Sequence, residues 1–372
     1  MTSLKFNNKK FKIMQIADIQ ETRTPSPDTV KLIDLALQKE QPDLVVFTGD
    51  QIQGYSATFQ GNLYEYVKES VSTFIAPVVK RGIPFTFTFG NHDTQGGLGK
   101  KEQAEIYKSF DGFVETDNRN PNDIGSCCIT IKGSDGEKAA MAVYVIDSNA
   151  KESDGSYSPV KKEQLEWYKS TRENLKNQFG QYVPSVVFQH IPVPEFYNII
   201  EKTSFLDKNA VEDFKNNKHC FYTLSKEMLQ RGDFMGETPA IPKINTGEFE
   251  ALKEKGDVFA LFVGHDHNNS FYREFEGITL GYTQGSGFNT YGPGDKRGVR
   301  ILSFNEDDVR NFETYTVTMK ELCDFTPSSP LKHFILSSFP SSKAEAIAKG
   351  LRIIGAATAA TLTVKAIKYL IK

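Results

Sequence analysis

The residues able to do chemistry in this chain gather in a few short stretches. Gly264-His265-Asp266-His267 presents two imidazoles two residues apart, directly after the apolar run 258–263. A short apolar run bounded by glycine reads as a buried strand. Neutral imidazole is the commonest side-chain metal ligand, and ligands gather at the carboxyl ends of strands in open α/β sheets. The pair is therefore either a metal clamp or two loop histidines, and context has to decide. Context comes from further strand ends: Asp18 with Gln20, Asp50, Asn91 with His92 and Asp93, and His190. Asp, Asn and His gathered in this way form the donor set of a two-metal site, where one carboxylate bridges cations roughly 3.5–4 Å apart. Mixed N/O ligation without cysteine suits Mn, Fe or Zn in a reactive centre better than a structural zinc. Each residue also has a bland alternative: Asp18 as a helix cap, Asn91 in a turn, His190 as a satisfied core imidazole.

The elements that position these residues follow from the hydropathy pattern. Residues 11–17 alternate and end at Asp18, residues 44–48 form an apolar run ending at Gly49-Asp50, and residues 84–89 lead to Gly90-Asn91-His92-Asp93. Between them lie a helix opening at Ser26-Pro27-Asp28, with Pro early and an acid in the first turn, and a helix over 63–80. Further strands are expected at 128–131, 141–146 and 184–189, the last delivering His190, with a helix over 159–178. Strands alternating with helices point to a mainly parallel sheet covered on both faces. The short alternating runs at 270–276, 278–282, 299–304 and 312–318 suggest antiparallel strands completing a second sheet.

Residues 1–340 read as one domain, interrupted by the less regular, proline-containing stretch 191–256. An insertion beside a site is either a lid or specificity element or a passive surface excursion. Hydrophobic content of 39% and charged content of 24% place the 372-residue chain among soluble globular proteins. A net charge of −3 gives no bulk pull toward nucleic acid. Four cysteines, two of them adjacent at Cys127 and Cys128, make no disulfide framework in a chain of this size and read as thiols in a reducing compartment. The first residues lack the apolar core of a secretory signal, so residence on the cytosolic side is expected. The tail 341–372 carries an uncharged run at 353–364 flanked by Lys349, Arg352, Lys365 and Lys368. A spanning helix needs roughly 20 apolar residues. The tail therefore either docks on the domain or associates with a membrane as an interfacial or tail-anchoring segment.

The ordered blocks Asp18-Ile19-Gln20, Gly49-Asp50, Gly90 to Asp93, His190 and Gly264 to His267 resemble the calcineurin-like metallophosphoesterases over roughly residues 11–318. The sequences around Asp50, 190–196 and 291–300 are similar, more narrowly, to the branch holding purple acid phosphatase 29-type plant proteins and related fungal phosphatases. The resemblance implies an α/β sandwich, two mixed β-sheets packed face to face and flanked by helices in four layers. It implies that Asp18 and His267 serve a first metal, Asp50 bridges, and Asn91, His190 and His265 serve a second. The cofactors would be two divalent ions, Mn, Fe or Zn, with Mg admissible at the first position. Asn91 and His92 would contact substrate, His92 stabilising or protonating the leaving oxygen. Asp93 would orient His92 or cap a turn. Water activated by the metals would attack phosphorus in line.

Two departures stand out. Gln20 occupies a position where the family pattern has histidine; its amide oxygen suits a hard cation but is a weaker donor to Zn or Fe. Gln53 stands where purple acid phosphatases place a tyrosine ligand, although Tyr55 is near. The function expected is a metal-dependent phosphatase acting on a phosphorylated small molecule or phosphoprotein, with no nucleic acid partner. The alternatives are a phosphodiesterase of nucleotide-type diesters, or a binding protein whose metal site is impaired by Gln20.

Overall fold

The structure is a computed structural model describing residues 4–116 and 118–337. In chain order it begins β1 (Lys10–Ile16), α1 (Pro27–Glu40), β2 (Leu44–Thr48), α2 (Leu63–Lys80), β3 (Phe85–Thr88) and α3 (Lys100–Lys108). It continues β4 (Cys127–Lys132), β5 (Ala139–Val145), α4 (Lys162–Phe179), β6 (Ser185–Phe188), β7 (Glu201–Thr203), β8 (Val211–Glu212), β9 (Phe221–Thr223) and β10 (Phe234–Met235). Then come α5 (Glu248–Lys253), β11 (Val258–Val263), β12 (Asn269–Phe275), β13 (Ile278–Tyr282), β14 (Gly298–Asn305), β15 (Asp308–Thr318), α6 (Met319–Leu322) and α7 (Pro330–Ser337).

Two mixed sheets carry the architecture. The first has the order β15-β14-β1-β2-β3 and the second β10-β12-β13-β11-β6-β5-β4. Strands β1, β2 and β3 run parallel, as do β5, β6, β11 and β13. The late strands do not form the second sheet by themselves, as their alternation suggested. Instead β14 and β15 extend the first sheet beyond β1, while β12 and β13 extend the second beyond β11. Alternation reports that a strand has two unlike faces, not which sheet it joins.

The period-2 geometry of a strand explains why the central runs are apolar throughout. Leu44 and Val46 of β2 face Val143, Val186, Phe188, Ala260 and Phe262 of the other sheet. Their neighbours Val45 and Phe47 point the opposite way and pack on Ile33 and Leu37 of α1 and Phe74 of α2. In the second sheet Tyr144, Val187 and Leu261 pack outward on Leu165 and Tyr168 of α4 and Leu252 of α5. Helix, sheet, sheet and helix thus form four layers. Full burial of each such side chain contributes about 1.5–3 kcal/mol, which pins the register on both faces.

Local signals start the helices where expected. Ser26 caps α1 by accepting from the Asp28 N–H, with Pro27 at the first helical position. Within 191–256, β7, β8 and β9 form a small separate sheet ordered β7-β9-β8, and β10 joins the edge of the second sheet. The tail 341–372, expected to dock or meet a membrane, lies outside the described residues. Among the described residues no helix is long and apolar enough to cross a membrane.

Candidate metal centre

Each chemically competent residue follows a parallel strand. Asp18 and Gln20 follow β1, Asp50 follows β2, Asn91 to Asp93 follow β3, His190 follows β6, and His265 and His267 follow β11. Where the sheets meet, Gln15 Nε2 donates to the Val263 carbonyl at 3.3 Å, and the His265 N–H donates to Asp18 Oδ2 at 2.9 Å. The loops are also strained. Asp18, Gln20, Asp50 and His265 sit in the left-handed region, with φ of 51°, 39°, 50° and 74°. Non-glycine residues are uncommon there and persist only where the surroundings over-determine them. Gly90 permits a close approach: a Cβ there would lie 2.2 Å from Asp50 Oδ1.

The side chains form two clusters sharing one carboxylate. Asp50, His190 and His265 make one, Asp18, Asp50 and His267 the other, with ligand atoms in each within 4.8 Å of one another. His190 Nε2 lies 3.3 Å from Asp50 Oδ2, 3.2 Å from Asn91 Oδ1 and 3.2 Å from His265 Nδ1. Its Nδ1 is 3.0 Å from the Thr48 carbonyl, an acceptor, which places the proton of the neutral ring there. Nε2 then holds a lone pair facing a carboxylate oxygen and an amide oxygen. A metal ion between them, or a proton on Nε2, reconciles these atoms. His267 repeats the design: Nδ1 is 2.8 Å from the Tyr291 carbonyl, leaving Nε2 at 3.3 Å from Asp18 Oδ1. The Tyr291 ring stacks on His267 at 4.2 Å. Asp18 Oδ1 and His265 Nε2 are buried without a hydrogen-bond partner. Unpaired buried polar atoms of this kind are costly, and the donor set fits divalent ions.

Electrostatics point the same way. Burial favours neutral His190, yet the carboxylates of Asp50 and Asp18 and the Thr48 carbonyl push it up to about 10. Burial also opposes ionisation of Asp50, but His190 and His92 hold its carboxyl well below the usual range. Burial and the His190 charge drive His265 well below an ordinary imidazole. Burial opposes charge on His267 too, yet the neighbouring Asp18 carboxylate pushes it up, so the pocket demands positive charge.

Three positions that the sequence left open take a definite arrangement. Asp93 does not orient His92. Its Oδ2 accepts from the N–H groups of Asp50 (2.9 Å) and Gly90 (2.7 Å), and its Oδ1 from Gln51 (2.8 Å) and Ile52 (3.1 Å). It staples the β2 loop to the β3 loop. Gln95 takes the expected place, with Oε1 2.8 Å from His92 Nδ1. Gln20 turns nitrogen, not oxygen, toward the centre: Nε2 donates to Asp50 Oδ2 at 3.1 Å while Oε1 accepts from Thr290. Tyr55 stays outside the clusters. It is 55% exposed and packs edge-on against His92, with ring centroids 4.9 Å apart, and Gln53 donates to the Asn289 carbonyl. His92 itself lies at the rim, its side chain 26% exposed, with its backbone N–H on Asp50 Oδ1 at 2.7 Å.

Sequence reasoning missed the supports. Asp266, within the histidine motif, accepts from the Tyr282 hydroxyl, the Ala240 N–H and Lys215. It thereby ties the 191–256 insertion to the histidine loop. Tyr157 packs edge-on against His265 at 4.4 Å. Buried Arg297 donates to the carbonyls of Gly287, Gly294 and Thr290 and so shapes the loop bearing Thr290 and Tyr291. The only signal for that loop was the distinctive stretch 291–300.

Residues 11–269 match the sequence profile of the calcineurin-like phosphoesterases. The chain belongs to the calcineurin-like phosphoesterase family. It is 28% identical over 340 residues to a protein of Arabidopsis thaliana named "Probable inactive purple acid phosphatase 14", covering 80% of this chain and 76% of that one. It is also 28% identical over 350 residues to "Phosphatase DCR2" of Saccharomyces cerevisiae, covering 85% of this chain and 55% of that one. A crystal structure of a dimetal phosphatase from Danio rerio superposes with a TM-score of 0.51 at 13% identity, covering 83% of this chain and 99% of that structure. That likeness shows the shared fold. This phosphoesterase is a hydrolase acting on phosphoric ester bonds, with a purple acid phosphatase-like sequence.

Proposed function

We propose that the chain is a phosphatase whose centre holds two divalent ions, one between Asp18, Asp50 and His267, the other between Asp50, Asn91, His190 and His265. The observation that carries this reading is the pair of clusters sharing Asp50. When bound, two such ions acidify water and neutralise charge on a phosphoryl group. The chain's own residues do the rest. The Thr48 and Tyr291 carbonyls fix His190 and His267 with Nε2 turned inward, and Asp93 holds Asp50 and Asn91 in register. His92, at the rim and steadied by Gln95, is placed to donate a hydrogen bond or proton to the leaving oxygen. The insertion, anchored through Lys215 and Ala240 to Asp266, is the element that reads the group carrying the phosphate, in a phosphorylated small molecule or phosphoprotein.

The test is hydrolysis of p-nitrophenyl phosphate and its bis-ester by the purified chain with Mn2+. Activity should vanish on chelation and fall at least 100-fold in Asp50→Asn and His92→Ala, on the order of a lost general acid. Activity that survives Asp50→Asn overturns the mechanism, and a faster bis-ester rate moves the assignment to a phosphodiesterase. A second reading, a binding protein with an impaired centre, draws on the nitrogen that Gln20 presents to Asp50 and on the word "inactive" in the names of plant relatives. It expects no turnover at any Mn2+ concentration.

A further inference from the structure

Gln20 is fixed in every respect but one. Its backbone N–H donates to the Asp50 carbonyl at 2.7 Å, and its φ of 39° leaves little freedom. Its side-chain amide ends between Asp50 Oδ2, 3.1 Å from Nε2, and Thr290 Oγ1, 2.5 Å from Oε1. Ionised Asp50 only accepts hydrogen bonds, so without a cation the N–H2 must face it. The Thr290 hydroxyl both donates and accepts. A half-turn of the amide therefore keeps a partner on the Thr290 side: N–H2 would donate to Oγ1, and Oε1 would face the ion. Two ligand atoms about 2.1 Å from one ion and at right angles are about 3 Å apart, so the amide end already stands at ligand spacing from Asp50. Thr290 cannot drift, because buried Arg297 holds its carbonyl at 2.7 Å.

We propose that Gln20 and Thr290 form an ion-selecting pair, Gln20 lending a reversible amide oxygen to the cation held by Asp18, Asp50 and His267. This rests on the two-metal reading above. That position then offers oxygens from two carboxylates and an amide with a single imidazole, whereas its neighbour offers two imidazoles. Oxygen donors suit Mn2+ and Mg2+, and imidazoles suit Zn2+. The first position takes Mn2+ or Mg2+ in preference to Zn2+, and the second favours Zn2+.

Isothermal titration of the metal-free full chain with Mn2+ and with Zn2+ tests this without any turnover. Wild type should show two sites, the weaker one with the lower Zn2+ to Mn2+ affinity ratio. Gln20→His should raise that ratio at the weaker site at least tenfold, and the isosteric Thr290→Val should weaken Mn2+ there by about tenfold. Neither substitution should alter the tighter site, which also reports that the variants are folded. An unchanged ratio in Gln20→His, or unchanged Mn2+ binding in Thr290→Val, overturns the pair while leaving the two-metal reading intact. A wild-type chain that binds neither ion overturns both.

Discussion

Replacing Gly90 by alanine is the sharpest test of how the centre is built. The added Cβ would stand 2.2 Å from Asp50 Oδ1 and 2.3 Å from the Asp50 backbone nitrogen, where ordinary contacts begin at 3.4 Å. Asp50 must therefore retreat by roughly 1 Å, since the backbone at Gly90 is itself held by Asp93 at 2.7 Å. The retreat strains the hydrogen bond from the His92 N–H to Oδ1, now 2.7 Å. Overpacking of this size costs about 1–3 kcal/mol of stability. A misplacement near 1 Å costs on the order of 100-fold in a positioned site. Because Asp50 belongs to both clusters, Mn2+ affinity should fall at both positions together. Titration calorimetry and urea unfolding would be compared with Gly82→Ala, where φ is +63° and a Cβ meets nothing within 4 Å. That control should lose about 1–2 kcal/mol from left-handed strain and keep its metal affinity. If Gly90→Ala binds two ions as wild type does, Asp50 is not the shared ligand and the geometric reasoning fails.

Two further outcomes concern Gln95 beside His92 and the buried Glu248 of α5. Gln95 is exposed, so Gln95→Ala should leave the unfolding midpoint unchanged while lowering kcat about tenfold through a loosened His92; an unchanged kcat would return His92 to a passive role. Glu248 is buried, and burial pushes its carboxyl up to about 8 from an ordinary 4.5. Between those values the unfolded chain releases this proton and the folded chain keeps it, so its contribution to stability declines as pH rises from about 4.5 to about 8. At about 1.4 kcal/mol per pH unit the deficit reaches a few kcal/mol. Glu248→Gln should therefore be more stable than wild type at pH 8 and not at pH 5, and parallel stability–pH curves would refute the shift.

Much of the site was legible because strands end abruptly. Apolar runs closing on Gly-Asp, Gly-Asn-His-Asp or Gly-His-Asp-His mark points where a buried strand meets a polar edge, whatever the strand order. Asp93 shows the limit of such reading. Its spacing beside His92 allowed two roles, and only the positions of four backbone N–H groups, three of them more than 40 residues away, decided for the staple. Gln20 was identified as the unusual residue, but the direction of its amide depends on Thr290, 270 residues further on.

By itself the sequence determined the residue types of the centre, their attachment to successive strand ends and the family to which they belong, because these depend on local hydropathy and motif order. Tertiary structure alone decided that β14 lies beside β1, that the ends of interior strands β1 and β11 in the two sheets meet so that Asp18 reaches the His265 N–H, and that Asp50 sits in both clusters. The physical reason is that a hydrogen bond or shared ligand is set by distances of a few ångströms between segments hundreds of residues apart, and local periodicity carries no information about those distances.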